Sequence, residues 1–370
     1  MSAGTAADRS LLPFRIKAER RLEVSRWLPL ATTLGAIAVA LVISGILIAV
    51  IGGDPIASFA HIVVSAFGSV GVLSDTLVKA TPLIFTGLAC ALAFRMRLWN
   101  IGAEGQFYLG AWGASAIVLL PIVPAGAPGW VTIPAMLIAG LAAGAAWGLI
   151  AGWLRARFNV NEIISTLMLN YVAILWVRFW VFGPWSEGGF QLSRPFPKEA
   201  WLPRLTDLSG VVAGLGGLTV HLGLAFGLVA AVVTWFVLKR SRKGYEIRLI
   251  GDNPGAANYA GVNIRRNIVL VMLASGGLAG LAGMSEVSGV VHRLQDAISP
   301  GYGFTGVIIA YLAKFNPLYV VVAAIAFGAL ILAGREIQPA GIPAMIQGVI
   351  LFCVIASDVL LRYRISLARR

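Results

Sequence analysis

Charge is what this chain has least of. Only 12% of its 370 residues are Asp, Glu, Lys or Arg, whereas 58% are hydrophobic. A water-soluble domain carries about 25% charged residues, and half that share is too little to cover a surface of this size. The excess apolar residues must face lipid. Cysteine is scarce as well. Cys90 and Cys353 both lie in apolar runs and make neither a CxxC motif nor a Cys/His group, which leaves a disulfide framework or a metal site unsupported. The three histidines, His61, His221 and His292, are far apart in sequence. GxxxxGK[ST], GxSxG, HExxH and DFG-type motifs are also missing, so the chain is not expected to hydrolyse ATP itself or to bind a cofactor. No pair of titratable groups stands out as acid and base, and an enzyme finds no support.

The charge that is present is mostly basic, with a net value of +13. The basic residues gather at Arg9 to Arg26, Arg95 to Arg97, Arg155 to Arg157, Lys239 to Arg266 and Arg362 to Arg370, each beside a long apolar segment. That placement is the positive-inside pattern of membrane proteins. A basic groove with interleaved aromatics, which nucleic-acid binding requires, is absent. Segments of the length needed to span a bilayer, roughly 20 apolar residues, occur at 28–50, 75–94, 105–121, 131–154, 162–182, 217–238, 268–287, 302–315, 317–333 and 341–360. The first is too long for a signal-peptide core and reads as a retained transmembrane helix. The shortest, 302–315, reads as a broken or re-entrant helix as readily as a full span.

These segments predict an all-α integral membrane protein of about ten transmembrane helices with both termini in the cytoplasm. Residues 1–27 are then a cytoplasmic extension, 28–360 the membrane domain and 361–370 a basic cytoplasmic tail. Residues 183–216 form an outer loop, and 239–267 a cytoplasmic one. The span 268–287 is the fifth after 75–94, so the two blocks starting there, of five and four listed spans, enter the membrane in opposite senses, as in transporters built from an inverted repeat of two five-helix blocks.

Three stretches are more polar than a lipid-facing helix tolerates. In LWNIGAEGQF, Leu98 to Phe107, the polar residues Asn100, Glu104 and Gln106 stand among glycines. Backbone that leaves the helix at membrane depth must be buried in protein or line a water path, so this stretch is either a cytoplasmic turn or a solute-path element. In NEIISTLMLNY, Asn161 to Tyr171, the residues Glu162, Thr166 and Asn170 recur every fourth position and share one helix face. That face either lines a path or bonds neighbouring helices. The third stretch, Gly244 to Asn267, predicts two short helices about a turn at Gly251 to Gly255. Asp252 or Asn253 would cap the second helix and Pro254 would open it. Such a knob suits docking of another protein, or contact with anionic headgroups. Lys79 and Arg178 are expected to snorkel toward the outer interface, and Gln347 to bond a neighbouring helix. Glu286 stands at the outer end of its span. Tyr302 and Phe304, in SPGYGFTG, could stack on a planar solute.

At these stretches the chain resembles the permease subunits of bacterial ATP-binding-cassette importers for nucleosides and simple sugars, related to ribose and branched-chain amino-acid permeases. LWNIGAEGQ (Leu98 to Gln106), STLMLNY (Ser165 to Tyr171), SPGYGFTG (Ser299 to Gly306) and RLIGDNPGAANYAGVNI (Arg248 to Ile264) carry the resemblance. It implies a multi-pass protein of the bacterial inner membrane that takes up nucleosides by alternating access, with a ribose-like sugar or an ion-coupled carrier as alternatives. The implied partners are an ATP-binding subunit, a second and different permease, and an extracytoplasmic solute-binding protein. Asn100, Glu104, Gln106, Thr166, Asn170, Tyr302 and Phe304 become the expected solute path. Gly251, Asn253, Pro254, Ala256, Ala257 and Gly261 become the expected contact with the ATPase.

Overall fold

A computed structural model describes residues 14–20, 25, 27–124, 126–210, 213–334 and 341–369. In chain order the helices are α1 (Leu28–Val50), α2 (Pro55–Phe67), α3 (Val70–Arg95), α4 (Ala103–Leu119), α5 (Gly129–Phe158), α6 (Glu162–Phe182), α7 (Gly223–Arg240), α8 (Arg242–Asp252), α9 (Pro254–Tyr259), α10 (Ile264–Glu286), α11 (Tyr302–Leu312), α12 (Pro317–Ala333) and α13 (Ile342–Arg362). Ten of them fall on the expected spans. Among the described residues, seven are long and apolar enough to cross a membrane alone.

Two features depart from the sequence reading, and α11 takes the broken-helix alternative that it offered. A span was not expected at Pro55–Phe67, yet a 13-residue helix forms there. The Asp54 carboxylate caps it by accepting the Ile56 and Ala57 N–H groups at 2.8 and 3.1 Å. Helix α11 is only 11 residues long, about 16 Å, roughly half the ~30 Å hydrocarbon core. The end segments β1 (Phe14–Arg20) and β2 (Tyr363–Arg369) pair antiparallel, Phe14 opposite Arg369 and Arg20 opposite Tyr363. Both ends of the described chain therefore lie on one side of the bundle, the side that the basic residues assign to the cytoplasm.

The two blocks are interlocked. Helix α10, which opens the second, packs most extensively on α4 and α5 of the first. Helix α3, which opens the first, packs on α11 and α12 of the second. Exchanging the blocks exchanges the two sets of contacts, the pattern an inverted repeat produces. Neither block has a complete interior without the other.

Glycine makes this possible. In lipid, helices associate by packing, and small residues let backbones approach. At the α5–α10 crossing a Cβ added to Gly280 would overlap the carbonyl of Gly140 and sit 3.0 Å from the Gly144 Cα. Backbone, unlike a flexible side chain, cannot step aside. Gly280→Ala is therefore expected to cost about 1–3 kcal/mol by overpacking, seen as a lower melting temperature in detergent. Gly210→Ala, with nothing within 4 Å of the added carbon, serves as the neutral comparison.

Candidate functional site

Helices α4 and α11 begin beside each other inside the bundle and run in opposite directions. Their depth can be read along α3. The Thr86 hydroxyl donates to the Tyr302 carbonyl at 3.0 Å, and Thr86 precedes the inner end of α3, Arg95, by nine residues, a rise of about 13 Å. The start of α11 is thus near mid-membrane. Glu104, in the first turn of α4, accepts the Gly303 N–H at 2.6 Å, and the Ser299 hydroxyl and Phe304 N–H add to this bond. A carboxylate at a helix N-terminus satisfies free N–H groups and opposes the helix dipole. The approach is so close that a Cβ on Gly303 would overlap the Glu104 backbone. Ser299 caps α11 from its own side, accepting the Gly301 and Tyr302 N–H groups at 3.0 and 2.9 Å.

The segment before α4 leaves helical geometry, and the polar face of α6 takes up its backbone groups. Glu162 Oε1 accepts the Trp99 N–H at 3.4 Å, and Thr166 Oγ1 accepts that of Ile101 at 3.3 Å. Asn170 accepts the Gly105 N–H at 2.8 Å and donates to the Ile101 carbonyl at 2.9 Å. The four-residue spacing matches three successive turns of α6 to this strand of backbone. Asn100 turns inward, donating to Gln106 Oε1 at 2.9 Å and to the Ser275 hydroxyl of α10 at 2.8 Å; Ser275 in turn donates to the Ala89 carbonyl of α3 at 2.7 Å.

The structure therefore brings Asn100, Glu104, Gln106, Thr166, Asn170 and Tyr302 into one buried region, each at 4% exposure or less. Phe304 differs, being 44% exposed. Lys79 departs from the sequence reading. It does not snorkel outward but is buried, with its ammonium 3.3 Å from Glu286 Oε1 and donating to the Tyr302 hydroxyl at 3.2 Å. Glu286, on α10, was visible in sequence only as a lone acid at a helix end. What hid the pair is a separation of 207 residues. Arg178 donates from Nε to Asp296 at 2.9 Å, tying α6 to the outer connection. Gln347 accepts from Thr305 at 3.1 Å, a bond between α13 and α11.

At the inner end, α8 and α9 form the knob. Asn253, not Asp252, is its cap: its side chain accepts the Ala256 N–H at 3.1 Å, and Pro254 opens the helix. Ala257 is buried, and Gly261 closes the turn at φ +71°. Asp252 instead meets Arg95 at 3.5 Å, and Gly251 packs against the Arg95 carbonyl so closely that a Cβ would overlap it. Tyr259 is 98% exposed at the tip of the knob, which the sequence did not single out. Glu246 of α8, held by Lys243, Asn267 and Arg242, has its carboxyl below the usual range.

At the outer end, the 183–210 segment folds over the end of α10. The Leu202 N–H donates to the Ser288 carbonyl at 3.0 Å, and the Ser288 hydroxyl to the Ala200 carbonyl at 2.5 Å. His292 stacks on Trp201 with ring centroids 3.8 Å apart, and its Nε2 accepts from the Arg204 guanidinium at 2.7 Å.

Comparison with known proteins places these features in a family. The family model for the permease component of branched-chain amino acid transport systems matches residues 72–355. A glucose ABC transporter permease of Haloferax volcanii is 34% identical over 95% of this chain and 94% of its own length. A guanosine ABC transporter permease of Bacillus subtilis is 34% identical over 84% of this chain and 88% of its own. A nucleoside ABC transporter permease of Lactococcus lactis is 29% identical over 86% and 88%.

Burial, followed by the charge of Arg204, pushes the pKa of His292 down to about 4, below the ordinary 6.5. The unfolded cap then binds more protons between pH 6.5 and 4, so stability is expected to fall with pH through that window. The protection factor of the Leu202 amide, corrected for the intrinsic pH dependence of exchange, should drop across it, and His292→Gln should flatten the profile.

Proposed function

The chain belongs to the family of permease components of branched-chain amino acid transport systems, and from that premise we propose that it is one of two membrane-spanning subunits of an ATP-driven importer of nucleosides in a bacterial inner membrane. The observation that carries the reading is the capped knob at the inner end, presenting Tyr259 to the outside of a bundle that has no nucleotide-binding motif of its own. Such a surface suits an ATP-hydrolysing partner. A second, homologous permease and an extracytoplasmic solute-binding protein complete the assembly.

The geometry supplies a route for the motion. When ATP closes the partner subunits, the knob moves. Gly251 and Asp252 connect it to Arg95 at the inner end of α3, and α3 in turn holds the start of α11 through Thr86. A push at the knob thereby reaches the level where α4 and α11 meet, the bundle switches between inward-open and outward-open, and solute released by the binding protein passes between the two permeases. In this proposal the solute passes at that level. Phe304 gives the stacking surface, and Asn100, Glu104, Gln106, Thr166, Asn170 and Tyr302 act on the path by holding the two half-helices.

A nucleoside is favoured because two of the relatives above are named for guanosine or nucleoside transport. A sugar is the second reading, favoured by the glucose permease similar over nearly the whole chain. Proteoliposomes holding the permease pair and the ATPase, supplied with the binding protein, should accumulate labelled guanosine when ATP is present. Accumulation of glucose and not guanosine would shift the assignment to sugar, and uptake independent of ATP would sink the importer reading. Tyr259→Ala should lower uptake about tenfold by loss of an exposed aromatic anchor and leave the melting temperature unchanged. Loss of melting temperature with full uptake would refute the docking role.

A further inference from the structure

Where α5 ends and α10 begins, an open hollow of about 890 Å³ lies beside the knob. Three arginines line it, Arg155, Arg157 and Arg265, and its lining includes no acid among the described residues. Glu162 stands just outside and holds Arg155 through its Nε at 3.2 Å, which neutralises one charge and fixes that guanidinium. Among the described residues, Arg157 and Arg265 meet no carboxylate. Two positive charges are therefore left over. Helix α10 also opens here, its cap Asn263 accepting the Arg266 N–H at 2.9 Å, so the positive end of its dipole lies in the same place.

The other side of the knob gives the comparison. A second hollow, lined by Arg242, Lys243 and Arg266, contains Glu246, which accepts from Lys243 at 2.6 Å and from Asn267 at 3.0 Å. Its bases are compensated from within. Those on the α5 side call for an anion from elsewhere.

Depth decides which anion. Helix α5 exposes two tryptophans, Trp130 at 79% and Trp153 at 52%, which lie about 35 Å apart along its axis. Tryptophan is enriched at both faces of a membrane, and a hydrocarbon core of ~30 Å fits between these two. Arg155 and Arg157 then stand about 3 and 6 Å beyond the inner belt, at the level of lipid phosphates. Phe158, also exposed, meets the Trp153 ring edge-on with centroids 5.3 Å apart, and Ile264 and Ile268 give the hollow an apolar wall. A cationic rim over an apolar wall complements a phospholipid; an acidic protein surface would use only the rim. Basic pockets between helices on the cytoplasmic side suit anionic headgroups. Tyr259 is not part of this lining, so the tip of the knob stays available to a protein partner.

We propose that this hollow binds the phosphate of an anionic phospholipid of the inner leaflet, with Arg157 and Arg265 as its ligands. Pro254, Asn258 and Gly261 of the knob line the same space, so the bound lipid braces the knob against α5.

The test titrates the full-length permease, stripped of lipid in detergent, with phosphatidylglycerol or phosphatidylcholine and counts bound lipid by native mass spectrometry. The first phosphatidylglycerol should bind about tenfold more tightly than phosphatidylcholine. The pair Arg157→Gln, Arg265→Gln should weaken it about thirtyfold, about fivefold for each charge at a lipid surface. The same pair should leave phosphatidylcholine binding and the melting temperature unchanged. Arg242→Gln, Arg266→Gln, which removes equal charge from the compensated side, should keep phosphatidylglycerol affinity at the parent value. An equal loss in both pairs, or no loss in the first, would overturn the site. Displacement of phosphatidylglycerol by inorganic phosphate or glycerol phosphate at equal concentration would overturn the lipid assignment in favour of a soluble phosphate. If the first pair cannot be purified, its two single changes decide, each expected to cost about fivefold. None of these readouts involves ATP or solute, so they stand or fall separately from the importer reading.

Discussion

Backbone that leaves helical geometry inside a membrane protein must find partners for its N–H and C=O groups within the protein, and this bundle is arranged around two such places. Before α4 the chain unwinds near Asn100, and before α11 it unwinds near Ser299 and Gly301. Each unsatisfied group costs several kcal/mol in hydrocarbon, so neither segment could exist without dedicated acceptors. The polar face of α6 serves the first and the Glu104 carboxylate serves the second. Because Glu104 itself stands in the first turn of α4, each half-helix helps to secure the other.

That mutual dependence explains why the two blocks interlock and do not merely lie side by side. Helix α10 completes the interior of the first block, and α3 that of the second. Glycines at the α5–α10 crossing bring the backbones close enough for the short half-helices to be enclosed. The middle is therefore densely packed, while the ends of the bundle carry the separable parts, a knob at the inner end and a cap at the outer. A densely packed middle with separable ends fits the proposal that motor and solute capture belong to other proteins.

The two ends are also fastened differently. The knob is tied to α3 by backbone packing at Gly251 and by a partly exposed ion pair, Arg95 with Asp252. Surface pairs of this kind are worth at most about 1 kcal/mol, so packing is the main link. At the outer end the Lys79–Glu286 pair is dry, where its geometry matters far more.

Composition, basic clusters and apolar run lengths were enough to determine a multi-span helical membrane protein, the positions of ten apolar helices and the capped knob, because each is set by local chemistry or by a count along the chain. The polar stripe of Glu162, Thr166 and Asn170 was legible for the same reason, since helical period alone aligns it. Sequence could not say what the stripe faces. The answer, the unwound backbone at Trp99 to Gly105, is a contact across 63 to 69 residues. Nor could it pair Lys79 with Glu286, or show that α11 starts halfway through the bundle opposite α4. Those facts were decided only by tertiary structure. An inverted repeat brings together residues that are distant in the chain, and no local pattern records the partner.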